Sequence, residues 1–296
     1  MNKIKVSVVV TGKSDEHGAR LLLKDLGKQT VKPDEIIIVR SEDYGNCTRG
    51  RGRNIGIKKA RNELIAVTDV GCRPRRDWVE RLAAKVQKGT RRYKNVQVVA
   101  GWYRAVAETE WQKSFVPYLV PTRLNKGQAF LPASRSIAFT KSAWKLVGGY
   151  PEEPVSGGED LKFADNLYRN PEVNIIFEPD ALVDWPVPET LSAFIKDIVK
   201  HTRGNFEAGY WPHIIRNLSV VARWMVMAMW PWLIPGYLII AGLNKGQALL
   251  RQGLALQALR MIVVRLEADA AVVYGTVIGI IDGWVIKKLR SLVSDG

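Results

Sequence analysis

Short runs of β-branched residues alternate with segments of helical spacing through the first two thirds of this chain. Val6 to Thr11, Glu35 to Arg40 and Leu64 to Asp69 are compact apolar runs of strand length. Between them, Ala19 to Lys28 and Asn54 to Arg61 space their apolar residues as helices do. The order reads β-α-β-α-β. Spacers of this length suit right-handed crossovers between parallel strands and not two-residue hairpins. The pattern predicts an α/β fold whose ligand chemistry lies at the carboxyl ends of the strands.

The pattern changes near residue 215. Leu218 to Leu243 carries one charge, Arg223, and Trp224 to Leu243 is an uncharged run of twenty residues. That is about what a hydrocarbon core of ~30 Å requires. Pro231 and Pro235 interrupt it, so it reads equally as a span or as a hairpin dipping into one leaflet. Trp211, Trp224, Trp230, Trp232 and Tyr237 are aromatics of the kind that collect at lipid headgroups. A second run, Ala268 to Ile286, holds Asp269 and Asp282 and is followed by the basic Lys287-Lys288-Leu289-Arg290. Between the runs, Leu249 to Leu266 mixes Arg251, Arg260 and Arg265 with apolar residues at helical spacing, which suits a helix lying on an anionic surface. The competing expectation makes both runs core helices of a soluble α-subdomain.

Composition narrows the partners. The 296 residues suit one large domain or two ordinary ones. A formal charge of +15 predicts attraction to nucleotide diphosphate, anionic lipid or nucleic acid. Only Cys47 and Cys72 are present, which excludes a disulfide framework and a Cys-rich zinc site. Met1 to Lys5 runs straight into the strand-like Val6 to Val10, too short an apolar run for a secretory signal. A reducing, cytoplasmic setting is expected.

Two acidic centres stand out. Asp69 closes Leu64-Ile65-Ala66-Val67-Thr68, at the end of a buried strand. About ninety residues later, Ser156-Gly157-Gly158-Glu159-Asp160 opens a helix-like segment. One carboxylate can hold a metal and the other a proton. The plainer expectations are a strand-end Asp that caps the next turn, and acids favoured by a helix N-terminus. The glycines also permit a loop that closes over substrate. Gly50-Arg51-Gly52-Arg53-Asn54-Ile55-Gly56 has the spacing G-x-G-x-x-x-G and follows no clear strand, so the dinucleotide fingerprint fails.

Val6 to Thr11, Gln29-Thr30 with Pro33-Asp34-Glu35-Ile36, Arg53-Asn54-Ile55-Gly56, Thr68-Asp69-Val70-Gly71-Cys72 and Gly158-Glu159-Asp160 together resemble family 2 glycosyltransferases of the GT-A fold. The resemblance covers roughly residues 4 to 210. Leu131 to Phe139, Trp144 to Pro151 and His201-Thr202-Arg203-Gly204-Asn205 resemble a bacterial and archaeal branch that often carries C-terminal membrane segments. The implied organisation is a GT-A domain over 1–210 and a helical, membrane-associated region over 211–296.

The resemblance implies the roles. Asp160 would be the general base of an inverting transfer, while Glu159 beside it faces away from the sugar and is expected, with Asp69, among the donor-binding residues. Asp69 would be a ligand of Mg²⁺ or Mn²⁺, with Asp184 as a further ligand. The family usually has a second acid where this chain has Gly71. Thr11, Asp15, and Glu42 or Asp43 lie where base and ribose are met. Arg53, read as preceding a helix, Arg135 and Arg203 would face the diphosphate, with His201 a neighbour of Arg203. The implied partners are a nucleotide-sugar donor, a lipid-linked or glycan acceptor and the cytoplasmic face of the cell membrane, with no nucleic acid. An inactive membrane-bound relative stays open at this point. So does a nucleotidyltransferase, although Thr11-Gly12-Lys13-Ser14 is a poor substitute for its glycine-rich loop.

Overall fold

The computed structural model describes residues 5–12, 16–92, 96–120, 131–153 and 156–286. The chain forms two compact units. The first comprises residues up to Arg104, Asn125–Val155 and Glu159–Pro186. The second comprises Ala105–Leu124, Ser156–Gly158 and Val187 onward.

The first unit is built on a seven-stranded mixed sheet. Its strands are β1 (Val6–Gly12), β2 (Glu35–Arg40), β3 (Leu64–Asp69), β4 (Arg73–Pro74), β5 (Val96–Val106, whose last two residues belong to the second unit), β6 (Ile137–Thr140) and β7 (Val173–Pro186). They lie in the order β2-β1-β3-β6-β5-β7-β4. β1 pairs in parallel with β2 and β3, as the sequence predicts, while β6 is antiparallel to both β3 and β5. Two registers matter for the site. Thr11 lies opposite Asp69, and Arg73 of β4 lies opposite Asp184 of β7.

Side chains alternate across a strand, so each face of the sheet buries its own layer. Val6, Val8 and Val10 pack with Leu22 and Leu26 of α1 (Glu16–Gly27) and with Trp78, Val79 and Leu82 of α3 (Trp78–Arg92). On the other face, Val9, Ile65, Val67 and Phe139 pack with Ile57 of α2 (Arg49–Lys59), Trp144 of α5 (Lys141–Leu146) and Phe163 of α6 (Glu159–Arg169). Burying Phe139 or Phe163 contributes about 1.5–3 kcal/mol each.

The second helix begins earlier than its sequence suggests. Three glycines in Arg49–Lys59 argue against a helix on propensity alone. Thr48 caps it, its Oγ1 accepting from Arg51 N at 3.2 Å. A methyl group at Gly50 would stand 1.9 Å from Pro151 O, and one at Gly56 would stand 2.5 Å from a Val9 methyl. Close packing therefore selects these glycines. Arg53 consequently lies inside α2 and does not precede a helix.

The second unit is helical: α4 (Glu110–Leu119), α7 (Leu191–Glu207), α8 (Trp211–Met229), α9 (Leu233–Arg251) and α10 (Ala255–Ile280), the last continued by a π-helical turn over Ile281–Ile286. Phe115 of α4 stacks on Phe194 of α7 at 4.6 Å, with Val264 and Ala268 of α10 completing that core. The twenty-residue uncharged run is not one helix. α8 ends at Met229, Trp230-Pro231-Trp232 turns the chain, and α9 starts at Leu233. Pro235 falls in the first turn of α9, where the missing N–H disrupts nothing. Among the described residues, no helix is long and apolar enough to cross a membrane. The basic stretch from Lys287 lies outside the described residues.

Candidate active site

Asp69 stands at the carboxyl end of β3, and its Oδ1 accepts from Arg53 Nη2 at 2.7 Å and from Thr11 Oγ1 at 3.4 Å. Arg53 reaches it from α2. The other arm of the same guanidinium, Nη1, donates to Glu159 Oε1 at 2.6 Å. Arg53 is 1% exposed and Glu159 2% exposed, so the ion-paired triad is buried except for the Asp69 edge. Such a group requires its partners: a buried guanidinium without them would carry a desolvation penalty of several kcal/mol. Arg53 Nε is buried and makes no hydrogen bond. Burial alone would raise the Asp69 carboxyl, but the guanidiniums of Arg53, Arg49 and Arg135 outweigh it and hold the pKa below the usual value.

The triad sets the start of α6. Glu159 points inward to Arg53, while Asp160, next to it, remains partly exposed. Asp160 Oδ1 accepts from Leu161 N at 2.9 Å. Asp69 and Asp160 both act on the charges of Arg53 and Arg135, which places the two carboxylates in one electrostatic neighbourhood. Arg135 lies in the corner of two rings that meet edge to face at 6.3 Å: its guanidinium carbon is 4.2 Å from the Trp185 ring centroid and 5.0 Å from that of Tyr103. Cation–π contact holds the cation in place without neutralising it.

Beneath the triad, Asn54 locks the neighbouring chain. Its Nδ2 donates to Tyr150 O and Glu152 Oε1, both at 2.8 Å, and its Oδ1 accepts from Trp144 Nε1 and Tyr150 N. Arg53 also sits 5.3 Å above the Tyr150 ring. Sequence reasoning missed Tyr103, Trp185, Asn54 and Tyr150 as site residues. The signal for Asn54 was its place beside Arg53 in Arg53-Asn54-Ile55-Gly56, and that for Tyr150 its place within Trp144 to Pro151; Tyr103 and Trp185 carry none.

No protein-family model matches the sequence, and none of the curated proteins matches it. Solved structures do. The mannosyltransferase PcManGT from Pyrobaculum calidifontis, in complex with GDP-Man and Mn²⁺, is similar over 94% of this chain and 87% of its own, at 16% identity and a TM-score of 0.57. Residues 1–349 of S. aureus TarS are similar over 93% of this chain and 90% of theirs, at 17% identity and a TM-score of 0.50. This chain shares a glycosyltransferase fold. It spans 39% of the chain length in a longer TarS structure.

Within that GT-A-like fold, the remaining predicted residues fall as follows. Glu42 and Asp43 are exposed on a short 3₁₀ turn after β2. Asp15 lies outside the described residues. Asp184 is gripped by Arg104, whose Nε and Nη2 donate to its two oxygens at 2.8 and 2.9 Å. Arg203 belongs to the second unit, its Nε 2.8 Å from Glu207 Oε1 and 3.0 Å from Asp282 Oδ2. It lines a cavity of about 360 Å³ with Lys196, Lys200 and Tyr274. His201 lies 3.6 Å from Asp197.

The glycines before Glu159 serve packing. A methyl group at Gly158 (φ +86°) would stand 2.7 Å from Gly204 O, and one at Gly204 would stand 2.5 Å from Gly157 O. Ser156 is fastened to α7 by Glu207, which accepts from its N and Oγ at 2.9 and 2.8 Å.

The residues can be weighed against a divalent metal. Among the described residues no three His, Cys, Asp or Glu side chains cluster as ligands, and Gly71 supplies no second acid. Among the described residues the side-chain partners of Asp69 meet its Oδ1, and the side chain is 24% exposed. These residues fit a cation shared with a diphosphate, and not one held by the protein alone.

Proposed function

We propose that this protein is an inverting family 2 glycosyltransferase that moves a sugar from a nucleotide-diphosphate donor to an acceptor hydroxyl. The observation that supports it most is the buried Asp69–Arg53–Glu159 triad. It joins a strand-end carboxylate to the start of α6 and leaves Asp160 partly exposed beside it.

Asp160 takes the proton of the acceptor hydroxyl as that oxygen attacks the anomeric carbon. The new C–O bond forms on the face opposite the diphosphate, the bond to the diphosphate oxygen breaks, and the nucleoside diphosphate leaves. Arg135, held against Tyr103 and Trp185, faces the departing negative charge, with Arg49 nearby. Asp69 Oδ2 would hold Mg²⁺ or Mn²⁺, which supplies Lewis-acid neutralisation of the diphosphate. PcManGT, of the same fold, holds Mn²⁺ with GDP-Man. Thr11 is proposed to meet the donor, a reading supported by its register opposite Asp69.

The acceptor is proposed to be a lipid-linked or cell-surface glycan, met at the cytoplasmic face of the cell membrane. The uncharged run from Trp224 to Leu243 and the net charge of +15 support this. The test is calorimetric titration of GDP, UDP, CDP and dTDP with and without Mn²⁺, against Asp160→Asn in a turnover assay. One nucleotide is expected to bind, and the variant to retain binding while losing roughly 10²–10⁴ in turnover. Folded protein that binds none of the four sinks the reading, and turnover that survives the substitution removes Asp160 as the base.

A further inference from the structure

The chain passes from the second unit to the first between Gly158 and Glu159. Asp160, the proposed base, is the second residue beyond that crossing. Just before it stand Gly157 at φ +153° and Gly158 at φ +86°, backbone conformations that residues with side chains rarely adopt. A glycine pair has more conformational freedom than any other dipeptide, so it aims the chain that enters α6 only if its own start is fixed from outside.

Glu207, the last residue of α7, supplies that fixed point. Its Oε2 accepts from Ser156 N at 2.9 Å and its Oε1 from Ser156 Oγ at 2.8 Å, so both oxygens grip one residue. The contact is withdrawn from water: the Glu207 side chain is 10% exposed and Ser156 9% exposed. Hydrogen bonds to an ionised acceptor are stronger than neutral ones. The carboxylate is itself held in place. Arg203, one helical turn earlier, puts its Nε 2.8 Å from Glu207 Oε1 and 3.0 Å from Asp282 Oδ2 of the π-helical turn. Gly158 lies against the same helix end, where an added methyl group would meet Ala208 Cβ at 3.0 Å as well as the Gly204 carbonyl.

The helix itself does not favour an acid at this position. A carboxylate at a C-terminus faces the negative pole of the helix dipole, and basic residues are preferred there. α7 has no basic residue in its last turn and closes on Glu207. The reason for a glutamate therefore lies in what it binds outside the helix, which is Ser156.

We propose that Glu207 is a positioning residue for sugar transfer: by fastening Ser156 it fixes where the Gly157-Gly158 segment delivers Asp160. This rests on the reading of Asp160 as the base. Glu207 touches neither donor nor acceptor in this scheme and acts through the chain alone. Glu159, between the glycines and Asp160, is held separately by Arg53. A misplacement of about 1 Å at a reacting group can cost about 10²-fold in rate. The loss of Glu207 should therefore appear in turnover and not in donor affinity.

The test is release of nucleoside diphosphate from UDP-GlcNAc and GDP-Man by the full chain, with water in place of the acceptor. Rates are taken per nucleotide bound in calorimetry, so unfolded protein does not enter them. Glu207→Ala is expected to lower kcat by about 10- to 100-fold, with KM and nucleotide affinity within about threefold of wild type. Glu207→Gln keeps an acceptor oxygen for Ser156 and is expected to recover part of that loss. Ser156→Ala removes the Oγ bond and leaves the N–H, and is expected to lower kcat by a few-fold. An unchanged kcat in Glu207→Ala, beside an Asp160→Asn that has lost turnover, overturns the inference and leaves the base standing. Turnover that survives Asp160→Asn removes the base, and the inference falls with it. Equal losses in kcat and in nucleotide affinity would make Glu207 a support of the donor site and overturn the positioning role. Where Glu207→Ala does not fold, Ser156→Ala decides, and a kcat equal to wild type overturns the inference.

Discussion

Arg53 Nη2 lies 2.7 Å from Asp69 Oδ1, so a residue buried in a helix fixes the carboxylate at the end of a central strand. The same guanidinium holds Glu159 at 2.6 Å, and through it the first turn of α6. One side chain therefore orients both acidic centres that the sequence singles out.

Removing that side chain exposes the dependence. Arg53→Met leaves two buried or half-buried carboxylates without their cation, and a loss of about 3–5 kcal/mol is expected in denaturant unfolding. Arg53→Lys keeps the charge and loses the fork, because one ammonium cannot meet both acids in the same geometry. It is expected to lie between wild type and Arg53→Met. A lysine variant as stable as wild type would show that charge alone, and not the two-armed geometry, holds the site.

The Asp69 carboxyl is held low, against the upward push of burial, by Arg53, Arg49 and Arg135. A depressed carboxylate contributes stability that is complete above its unfolded pKa of about 3.9 and is lost as pH falls through the folded value. Asp69→Asn has no such proton to take up. The stability gap between wild type and Asp69→Asn is expected to stay constant from about pH 8 to 5 and to narrow below about pH 4. A gap that already closes near neutrality would contradict the ion pairing.

The two candidate metal ligands should separate. Among the described residues the side-chain partners of Asp69 meet Oδ1 alone, whereas both oxygens of Asp184 accept from Arg104. Asp69→Ala is expected to abolish Mn²⁺-dependent nucleotide binding, and Asp184→Ala to change it only a few-fold, about 1 kcal/mol or less, as for a partly exposed ion pair. Calorimetry with and without EDTA reads both, and equal losses would make Asp184 a ligand on the same footing.

Gly204→Ala places a methyl group 2.5 Å from Gly157 O and 2.6 Å from Gly157 C, backbone atoms that cannot step aside cheaply. A destabilisation of about 1–3 kcal/mol is expected from thermal unfolding. Gly209→Ala is the contrasting control. It has no neighbour within 4 Å but a φ of +64°, so its smaller cost comes from backbone strain alone.

Asp69 and Asp160 were legible because each sits at an abrupt change of pattern: the end of an apolar run, and the start of a helix behind two glycines. β1, β2 and β3 were legible for the same reason, since β-branched runs bounded by turns leave few alternatives. The Arg53–Glu159 pair was not, because it joins residues 106 positions apart and no local periodicity records it. α2 was misplaced because its glycines look like a loop until Pro151 and Val9 are seen against them. Pro231 did announce the break in the uncharged run. Arg265 of α10 turns inward, paired with Asp269 one helical turn later and with Tyr237 from another helix, and only the first of these is written nearby.

The position of β6 carries a consequence for how the chain emerges from the ribosome. β1, β2 and β3 can pair as soon as Asp69 is free of the tunnel, but the neighbour of β3 begins only at Ile137. Through that interval the nascent half-sheet presents the hydrogen-bonding edge of β3, flanked by Ile65 and Val67, to whatever else is in reach. Synthesis pauses between Asp69 and Ile137 would lengthen this exposure and favour aggregation. Chaperone demand should therefore peak there and fall once β6 has closed the gap.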